Sequence, residues 1–453
     1  MQKPKIFQMI IIGVFVVFVI FGFLGFSGKL PLPMRGGDVN YGEVILWGSI
    51  PVSTMQTLIS DNFRDEKSVS IKYVEKNAET INRDFIEALA SGKGPDIILI
   101  AQDEIIKNLD KFSLISYQTV LERDFKNTFI EEGEMFLRPN GVIALPFTID
   151  PIVMYWNRDI FTSALIPSPP AFWADFYNLV PEITVLSQGG DIVKSLVSFG
   201  GYRNVSHAKE IVSILMMQAG SPIVFNQNGR LSAALVISNP TNAENPVITA
   251  MRFYTEFSKP DKDSYSWNRS LPESRAMFEA GDLALYFGYA SEYQPIKQKN
   301  PHLNFDVAVV PQIGRTSTKL TFGRMRGIAI VAASKNPNGA FRAASLLSGK
   351  NVVNEIGTLL GTPPVRRDLI GLQPAPATGE TESANPPADK LPDAALSVFY
   401  DSALISRGWF DPSPNETNQL FMTMFDNVTS GRSSMTEALA VAHSSLEKFL
   451  QSY

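Results

Sequence analysis

The chain has 453 residues, a length that exceeds one ordinary hydrophobic core and favours two lobes or domains. Its formal net charge of -5 provides no basic surface of the kind that nucleic-acid binding needs, so we expect no nucleic-acid partner. The sequence contains no cysteine, which excludes disulfides, thiolate nucleophiles and cysteine-ligated metals. Its three histidines, His207, His302 and His443, stand far apart and in no metal-ligand spacing, so we expect no metal and no cofactor.

The N-terminal segment indicates where in the cell the protein is located. Residues 6–28 contain no charged residue. As a helix, residues 6–26 would be about 31 Å long, enough to span a hydrocarbon core of roughly 30 Å. A cleaved secretory signal has a shorter apolar region, of about 7 to 15 residues, and usually an Ala-x-Ala site, which this segment lacks. We therefore favour a retained membrane anchor at residues 1–28 over a cleaved signal. Residues 29–40, rich in Gly and Pro, are interpreted as a tether to an extracytoplasmic body.

After the tether, strand and helix patterns alternate. Residues 44–47 form a short apolar run, apolar residues recur at helical spacing over residues 55–63, and residues 69–73 alternate as a strand does. A second helical face covers residues 81–89, and an apolar strand follows at residues 97–100. This alternation predicts an α/β fold with a parallel, doubly wound sheet.

In a doubly wound sheet, ligands bind outside the carboxyl ends of the strands. Here those ends are the loops at residues 48–52, after the first strand, and at residues 101–103, after the third. The sequence therefore predicts that a ligand site includes these two loops.

Residues 145–157 are the stretch around which the chain is organised. Pro146 and Pro151 bracket a short apolar and aromatic run. Because Pro cannot donate to a sheet ladder, we interpret this run as a crossing between two lobes. Asp150 is the one carboxylate in the run, and a carboxylate in apolar surroundings is costly unless something pairs with it. We therefore expect Asp150 to line the cleft between the lobes.

The second half of the chain continues the α/β pattern. Residues 209–219 and 247–257 have helical spacing, and residues 305–311 are typical of a strand, which we interpret as a second crossing back toward the first lobe. Residues 371–392 are dense in Pro, Ala, Glu and Ser, so this segment is expected to be a surface excursion. Residues 434–437 have the spacing of a capping box and predict the start of a closing helix.

Several short motifs in order resemble a known family. The first half contributes ALASGKGPDII at residues 88–98, YWNRDIF at 155–161 and PPAFW at 169–173, and the second half begins with MFEAGDLAL at 277–285. The second half also contributes SKNP at 334–337, GTPPVRRD at 361–368, SGR at 430–432 and EAL at 437–439. In this order, over roughly residues 40–450, they resemble the extracellular solute-binding proteins of ABC importers, family 1, the maltose-binding type.

The resemblance implies a two-lobed periplasmic-binding-protein type II fold, each lobe a doubly wound sheet with flanking helices, joined by a hinge of several crossing segments. A ligand is enclosed when the lobes close. On this basis we divide the chain after its anchor and tether into two lobes. Lobe 1 takes residues 40–148 and about 312–346; lobe 2 takes about 150–308 and 350–453, including the Pro-rich loop 371–392.

The same resemblance implies where the ligand lies. Asp103 and Asp150 align with acidic positions that contact sugar hydroxyls in the maltose binder. The loop residues Trp47 to Ser49, Tyr289 and Gln188 fall at positions that line the same cleft. Trp47 could equally belong to the core, since it ends a buried strand. A maltose-type site would have more aromatic residues after the strand at 97–100, so the selectivity for sugar is open.

Other candidates follow from residue type and from a position near predicted loop or strand ends: Trp267, Glu292, Arg324 and Trp409. Trp173 begins an apparent helix and is better explained by packing. Tyr155 is also a candidate, but Tyr155 and Trp156 point to opposite faces of a strand, so at most one of them readily faces the cleft.

Together with the apolar N-terminal segment, the resemblance implies a membrane-anchored, monomeric receptor that captures a small sugar-like solute and delivers it to ABC permease subunits. An alternative is a binding protein that senses ligand and reports to a membrane partner. A glycosidase built on Asp103, Asp150 and Glu292 would need two carboxylates about 5 to 10 Å apart, a distance that the sequence cannot give. The chain has no H-E-x-x-H, G-x-S-x-G or Walker A motif, so we expect no enzyme.

Overall fold

The computed structural model describes residues 40–227, 229–237, 244–315, 318–370 and 391–451. The anchor predicted at residues 1–28, the tether at 29–40 apart from its last residue, and residues 371–390 of the Pro-rich loop lie outside the described residues. Within the described ranges, no helix is both long enough and apolar enough to span a bilayer.

The described strands lie mostly in one large sheet and two small ones. In chain order they are β1 (Glu43–Gly48), β2 (Ser70–Glu75), β3 (Ile97–Ala101), β4 (Ile115–Ser116), β5 (Leu137–Arg138), β6 (Gly141–Val142), β7 (Ala144–Asn157), β8 (Val185–Leu186), β9 (Ile192–Val197), β10 (Val224–Gln227), β11 (Arg230–Ala233), β12 (Leu283–Tyr289), β13 (Phe305–Ala308), β14 (Thr321–Ile330) and β15 (Ser406–Arg407).

Helices connect and flank these strands. They are α1 (Val52–Phe63), α2 (Ile81–Ala90), α3 (Glu122–Thr128), α4 (Arg158–Ser163), α5 (Phe176–Ile183), α6 (Ala208–Gln218), α7 (Pro246–Glu256), α8 (Ser274–Ala280), α9 (Tyr293–Lys299), α10 (Pro337–Leu347), α11 (Lys350–Leu360), α12 (Asp393–Leu404), α13 (Pro414–Thr429) and α14 (Met435–Leu450). The helices expected at residues 209–219 and 247–257 are confirmed as α6 and α7, and the predicted α/β class is correct.

The large sheet runs through the whole described body in the order β2-β1-β3-β14-β7-β12-β9-β8, with β13 on β7 and β15 on β14. Strands β2, β1 and β3 are parallel, as the alternating pattern predicts. The long strands β14 and β7 are antiparallel to each other, β14 is also antiparallel to β3, and β7 to β12, whereas β15 pairs parallel with β14. The sheet is therefore mixed rather than all-parallel, because the two central strands run in opposite directions.

Two hydrophobic cores lie along this one sheet, and β7 and β14 belong to both. On β7, Ile149 is buried in the first core and Ile152 in the second. On β14, Phe322 packs against the second core and Met325 belongs to the first. Residues 145–157 therefore run from one core to the other, as the sequence suggests for a crossing.

Strand β7 passes through both prolines without ending, which differs from the expectation that Pro stays out of a central strand. Pro146 pairs with Gly327, where the β7–β14 register shifts. Pro151 is the last β7 residue paired with β14, and β12 pairs from Ile152 onward. The missing N–H groups therefore coincide with interruptions in the ladder, where they cost least.

The second crossing is β14 and not residues 305–311. Strand β13 pairs with the end of β7, and Phe305, Val307 and Val310 are buried in the second core. The sequence interpretation of this stretch as a crossing was wrong, because an apolar alternating run reports a buried strand but not which core buries it.

Helix α11 packs in the first core through Val352, Val353 and Ile356, whereas the sequence division assigns residues 350–453 to lobe 2. Helices α12 to α14 contribute mainly to the second core. The capping box at the start of α14 is confirmed: Ser434 Oγ accepts from Glu437 N, and the Glu437 carboxylate accepts from Ser434 N.

Candidate functional site

Asp150 lies at the point where β7 leaves the first core. Its carboxylate accepts hydrogen bonds from Ser291 N at 3.1 Å and from Ser291 Oγ at 2.6 Å. Burial raises the pKa of Asp150 above its usual range, while the Ser291 hydrogen bonds and the nearby Arg324 and Arg326 oppose that rise. Ser291 belongs to the short 3₁₀ turn Ala290–Glu292 after β12, so this carboxylate joins the crossing strand to the second core.

Arg324 is the register partner of Asp150 on β14. Its guanidinium lies over the Tyr289 ring, 4.5 Å from the centroid, and 3.8 Å from Glu210 Oε1. The Tyr289 hydroxyl donates to the same Glu210 oxygen at 3.2 Å. Burial opposes the charge of Arg324, but Tyr289, Glu210 and Asp103 together raise its pKa. Helix α6 thus supplies a carboxylate that faces the crossing strands.

Asp103 follows β3, in the 3₁₀ turn Gln102–Glu104. It lines a small closed space with Arg324, Lys209, Trp409 and Asp411, in which about 20 Å³ is free, enough for one water molecule. Burial and the neighbouring Asp411 raise the pKa of Asp103, and Lys209 and Arg324 oppose that rise. Residues from both cores therefore enclose the Asp103 carboxylate.

We name six side chains the crossing cluster: Asp103, Asp150, Glu210, Tyr289, Arg324 and Arg326. Arg326 joins it because it lies on the same face of β14 as Arg324, two residues away. The cluster combines acceptors, donors and one aromatic face, the groups that fix hydroxyls and a ring of a polar ligand.

Four of the predicted site residues therefore come together here: Asp103, Asp150, Tyr289 and Arg324. Trp409 adjoins the same space, but its ring is 4 % exposed and its Nε1 donates to Ser213 Oγ at 3.2 Å. Glu292 lies behind Tyr289, where it accepts from the Tyr289 backbone N at 2.9 Å and pairs with His207 at 2.6 Å.

The other predicted site residues are not brought into this cluster. Tyr155 and Trp267 are fully buried; Tyr155 donates its hydroxyl to Tyr289 O at 2.6 Å, and Trp267 donates Nε1 to Asn204 Oδ1 at 3.2 Å. Gln188 is exposed in the turn between β8 and β9, the outer edge of the sheet.

Trp47 and Ser49 lie on the first core. Trp47 is 8 % exposed in that core, with Lys76 Nζ 3.9 Å above its ring, and Ser49 is half-buried in the loop after β1. Trp173 packs among Phe176, Phe199 and Phe253, as the packing interpretation of this residue expects.

Sequence reasoning missed Glu210, Ser291 and Arg326. Glu210 stands in the first turn of a mostly buried helix, and Ser291 has no distinctive context. Arg326 had a usable signal: Arg324 and Arg326 alternate in an otherwise apolar strand, which puts two cations on one face.

The cluster has no metal-binding arrangement. No group of three His, Asp or Glu side chains among the described residues could hold a metal ion. A surface groove of about 620 Å³ lies elsewhere, on the outer side of the second core, and is lined by residues such as Asp159, Glu182, Lys194 and His302. It shares no residue with the crossing cluster.

A model of the family described as bacterial extracellular solute-binding protein matches residues 59–387. The maltodextrin-binding protein MdxE of Bacillus subtilis (strain 168) is 22% identical over 285 residues, 62% of each chain. The chain spans 60 to 62% of the length of the curated relatives it matches.

Solved structures agree in fold. The sugar-binding protein MalE from Xanthomonas citri superposes with a TM-score of 0.71 at 15% identity, covering 90% of this chain and 98% of that one. A cyclo/maltodextrin-binding protein complexed with maltotetraose gives 0.70 at 14% identity, covering 90% and 96%. The family and these neighbours are binding proteins, and the family resemblance of the ordered motifs is confirmed. By its match over most of its length, the chain belongs to the bacterial extracellular solute-binding protein family.

Proposed function

We propose that this protein is an extracytoplasmic receptor that binds a small polar solute, a sugar or oligosaccharide, at the crossing cluster. The observation that carries the proposal is the position of the Asp150–Arg324 pair, at the step where both long strands change cores. A ligand at that step touches groups from both cores. Sugar-binding relatives and neighbours support the choice of ligand class.

The mechanism that we propose is ligand-linked closure. Asp103, Asp150 and Arg324 present donors and acceptors to hydroxyls, and the Tyr289 ring offers an apolar face. Because about 20 Å³ is free beside Asp103, a sugar needs the two lobes to move apart and then close around it. A ligand that touches both lobes shifts the population toward the closed form by its differential affinity.

Delivery to ABC permease subunits and anchoring by residues 1–28 complete the proposed role. The alternative is a sensor that reports ligand to a membrane partner. The two roles are distinguished by measuring uptake of the identified solute in cells that lack this chain. Lost uptake supports delivery. Unchanged uptake with a lost response to the solute supports sensing.

The binding proposal is tested on the full chain with a panel of mono- to tetrasaccharides, polyols, amino acids and short peptides. Thermal shift identifies ligands, isothermal titration calorimetry measures affinity, and small-angle scattering measures compaction. We expect at least one saccharide to bind and to reduce the radius of gyration. Binding of amino acids or peptides alone would contradict the assignment, as would a panel without any binding.

A further inference from the structure

Arg326 lies inside the proposed site without a hydrogen-bond or ion-pair partner among the described residues. It is half-buried on β14, between its register partners Thr148 on β7 and Ala101 on β3. Within the described part of the chain, its guanidinium makes no hydrogen bond and no ion pair, although it carries five N–H donors. The neighbouring Arg324, in contrast, has Glu210 and Tyr289.

This position is unfavourable for an isolated cation. Burial lowers the pKa of Arg326, and the like charge of Arg324 two residues away lowers it further, while Asp150, Asp103 and Tyr289 oppose this shift without reversing it. A partly desolvated guanidinium without an acceptor lowers stability, because the hydration it loses is not replaced by hydrogen bonds. Such a group is understandable if an anion binds there in the functional state.

Thr148 is a second, independent indication of an absent partner. Its side chain is 4 % exposed, and its Oγ1 has no hydrogen-bond partner among the described residues. Phe147 and Ile149, on either side along β7, point into the first core, so Thr148 faces the opposite side. By register, that is the side of Arg326 and Asp150.

The acids nearby have other donors. Asp150 is held by Ser291, and Glu210 by Tyr289 and Arg324. Asp411 is paired with Lys209 and accepts from Thr417 Oγ1. Burial and the Asp103 charge raise the pKa of Glu104 to about 7, which favours its neutral form more than in an ordinary carboxyl group. Asp103 and Asp150 also attract Arg326 electrostatically. Among the described residues, however, no carboxylate forms an ion pair or a hydrogen bond with its guanidinium, so its N–H donors remain available.

We propose that Arg326 and Thr148 form a subsite for a carboxylate on the ligand, so that the preferred solute is an acidic saccharide of the uronic-acid class. This inference rests on the proposed function. The planar guanidinium binds a carboxylate through two parallel N–H donors, and the Thr148 hydroxyl donates to one of its oxygens. One unpaired guanidinium matches a single negative charge, whereas a phosphate dianion would add a second charge beside Asp103, Glu104 and Asp150.

The test compares uronic-acid mono- to trisaccharides with neutral sugars that differ only by CH₂OH in place of COO⁻ at C6. Calorimetry on the full chain measures both affinities at low and moderate salt. We expect the acidic member of a pair to bind at least tenfold more tightly. Arg326→Gln should reduce that preference, measured as the ratio of the acidic to the neutral affinity of each pair, to less than threefold, and Thr148→Val should reduce it several-fold.

The matched control is Arg83→Gln, which removes an exposed arginine of helix α2. This variant should leave the preference for acidic over neutral sugars unchanged. Thermal melts of every variant confirm folding, and Arg326→Lys keeps a charge if Arg326→Gln does not fold. Equal affinity for acidic and neutral sugars in the unaltered chain would overturn the inference and leave the proposed function intact. So would a preference retained by Arg326→Gln, or tighter binding of sugar phosphates. Failure of every saccharide to bind would overturn the proposed function itself.

Discussion

Asp150 and Arg324 face each other in register on the two strands that pass from one hydrophobic core to the other. The strands are antiparallel, and each changes core within two residues of this pair. Charged groups thus lie where β7 and β14 pass from one core to the other, and a ligand at this place can contact residues of both cores. The relationship makes the pair the first target for mutation.

Asp150→Ala should weaken binding of the identified solute at least tenfold, about 1.4 kcal/mol, while the chain stays folded. The substitution removes the acceptor of two Ser291 hydrogen bonds, so the free energy of unfolding should fall by about 1 to 2 kcal/mol. Calorimetry and a denaturant melt measure the two effects. Asp61→Ala, on an exposed face of α1, serves as control. An unchanged affinity in Asp150→Ala would remove this residue from the site.

Lys209→Met should destabilise the chain by about 3 kcal/mol or more, because it leaves Asp411 buried without its cation. Lys209 also donates to Pro414 O at 3.1 Å, which adds to the loss. The comparison is Lys259→Met, which breaks a more exposed pair with Glu256 and should cost less than about 1 kcal/mol. Urea melts provide both values; equal losses would show that burial of the Lys209–Asp411 pair has no special cost.

Gly408→Ala should destabilise the chain by about 1 to 3 kcal/mol. A Cβ at this position would lie 2.2 Å from Gln102 Nε2 and 2.5 Å from Glu132 Oε1, both too close for an ordinary contact. Gly189→Ala is the matched control, since its nearest contacts would be 3.6 Å away. A melting temperature that falls equally in the two variants would contradict this packing argument.

Glu132 should make stability depend on pH. It is 2 % exposed, and burial raises its pKa to about 8, against hydrogen bonding from Gly408 N. The folded chain therefore holds this proton more tightly than the unfolded chain, whose carboxyl has an ordinary pKa near 4.5. Folding stability due to this group is highest below pH 4.5 and is lost as pH rises through about 8.

Glu132→Gln should remove that dependence of stability on pH. The melting temperature of the variant should therefore rise relative to that of the unaltered chain as the pH increases from about 4.5 to 8. Melts at intervals of half a pH unit measure the difference. Glu131→Gln, at the exposed neighbouring position, controls for the loss of a charge. Parallel curves for Glu132→Gln and the unaltered chain would refute the assignment.

The alternation of strands and helices was sufficient to predict the α/β class, the parallel β1–β3 unit and the helices α6 and α7. These elements follow from local periodicity, which a single sequence displays. The register partner of Asp150 on β14 could not be derived in the same way. Arg324 is 174 positions away, and register between distant strands depends on long-range packing that no local pattern records.

Some candidates could have been sorted better from residues alone. In a regular strand, positions 150 and 155 differ by an odd number, so Asp150 and Tyr155 point to opposite faces. The structure agrees, with Tyr155 fully buried in the second core. Trp267 was chosen by residue type, and large aromatic side chains most often serve the core. Glu210 escaped notice because its helix has a largely buried sequence that offers no cue for one cleft-facing acid.

The junction of Pro151 and Gly323 has a mechanical consequence. Pro151 has no N–H to lose from the ladder, and Gly323 has no side chain to obstruct bending, while Ile149 and Ser406 pack closely around it. Because Pro151 has no N–H, bending at this pair breaks one hydrogen bond fewer than bending at a pair of ordinary residues would. We expect the two lobes to rotate as rigid bodies about one hinge axis at this pair. The direction of that axis should be the same for every solute that binds between the lobes.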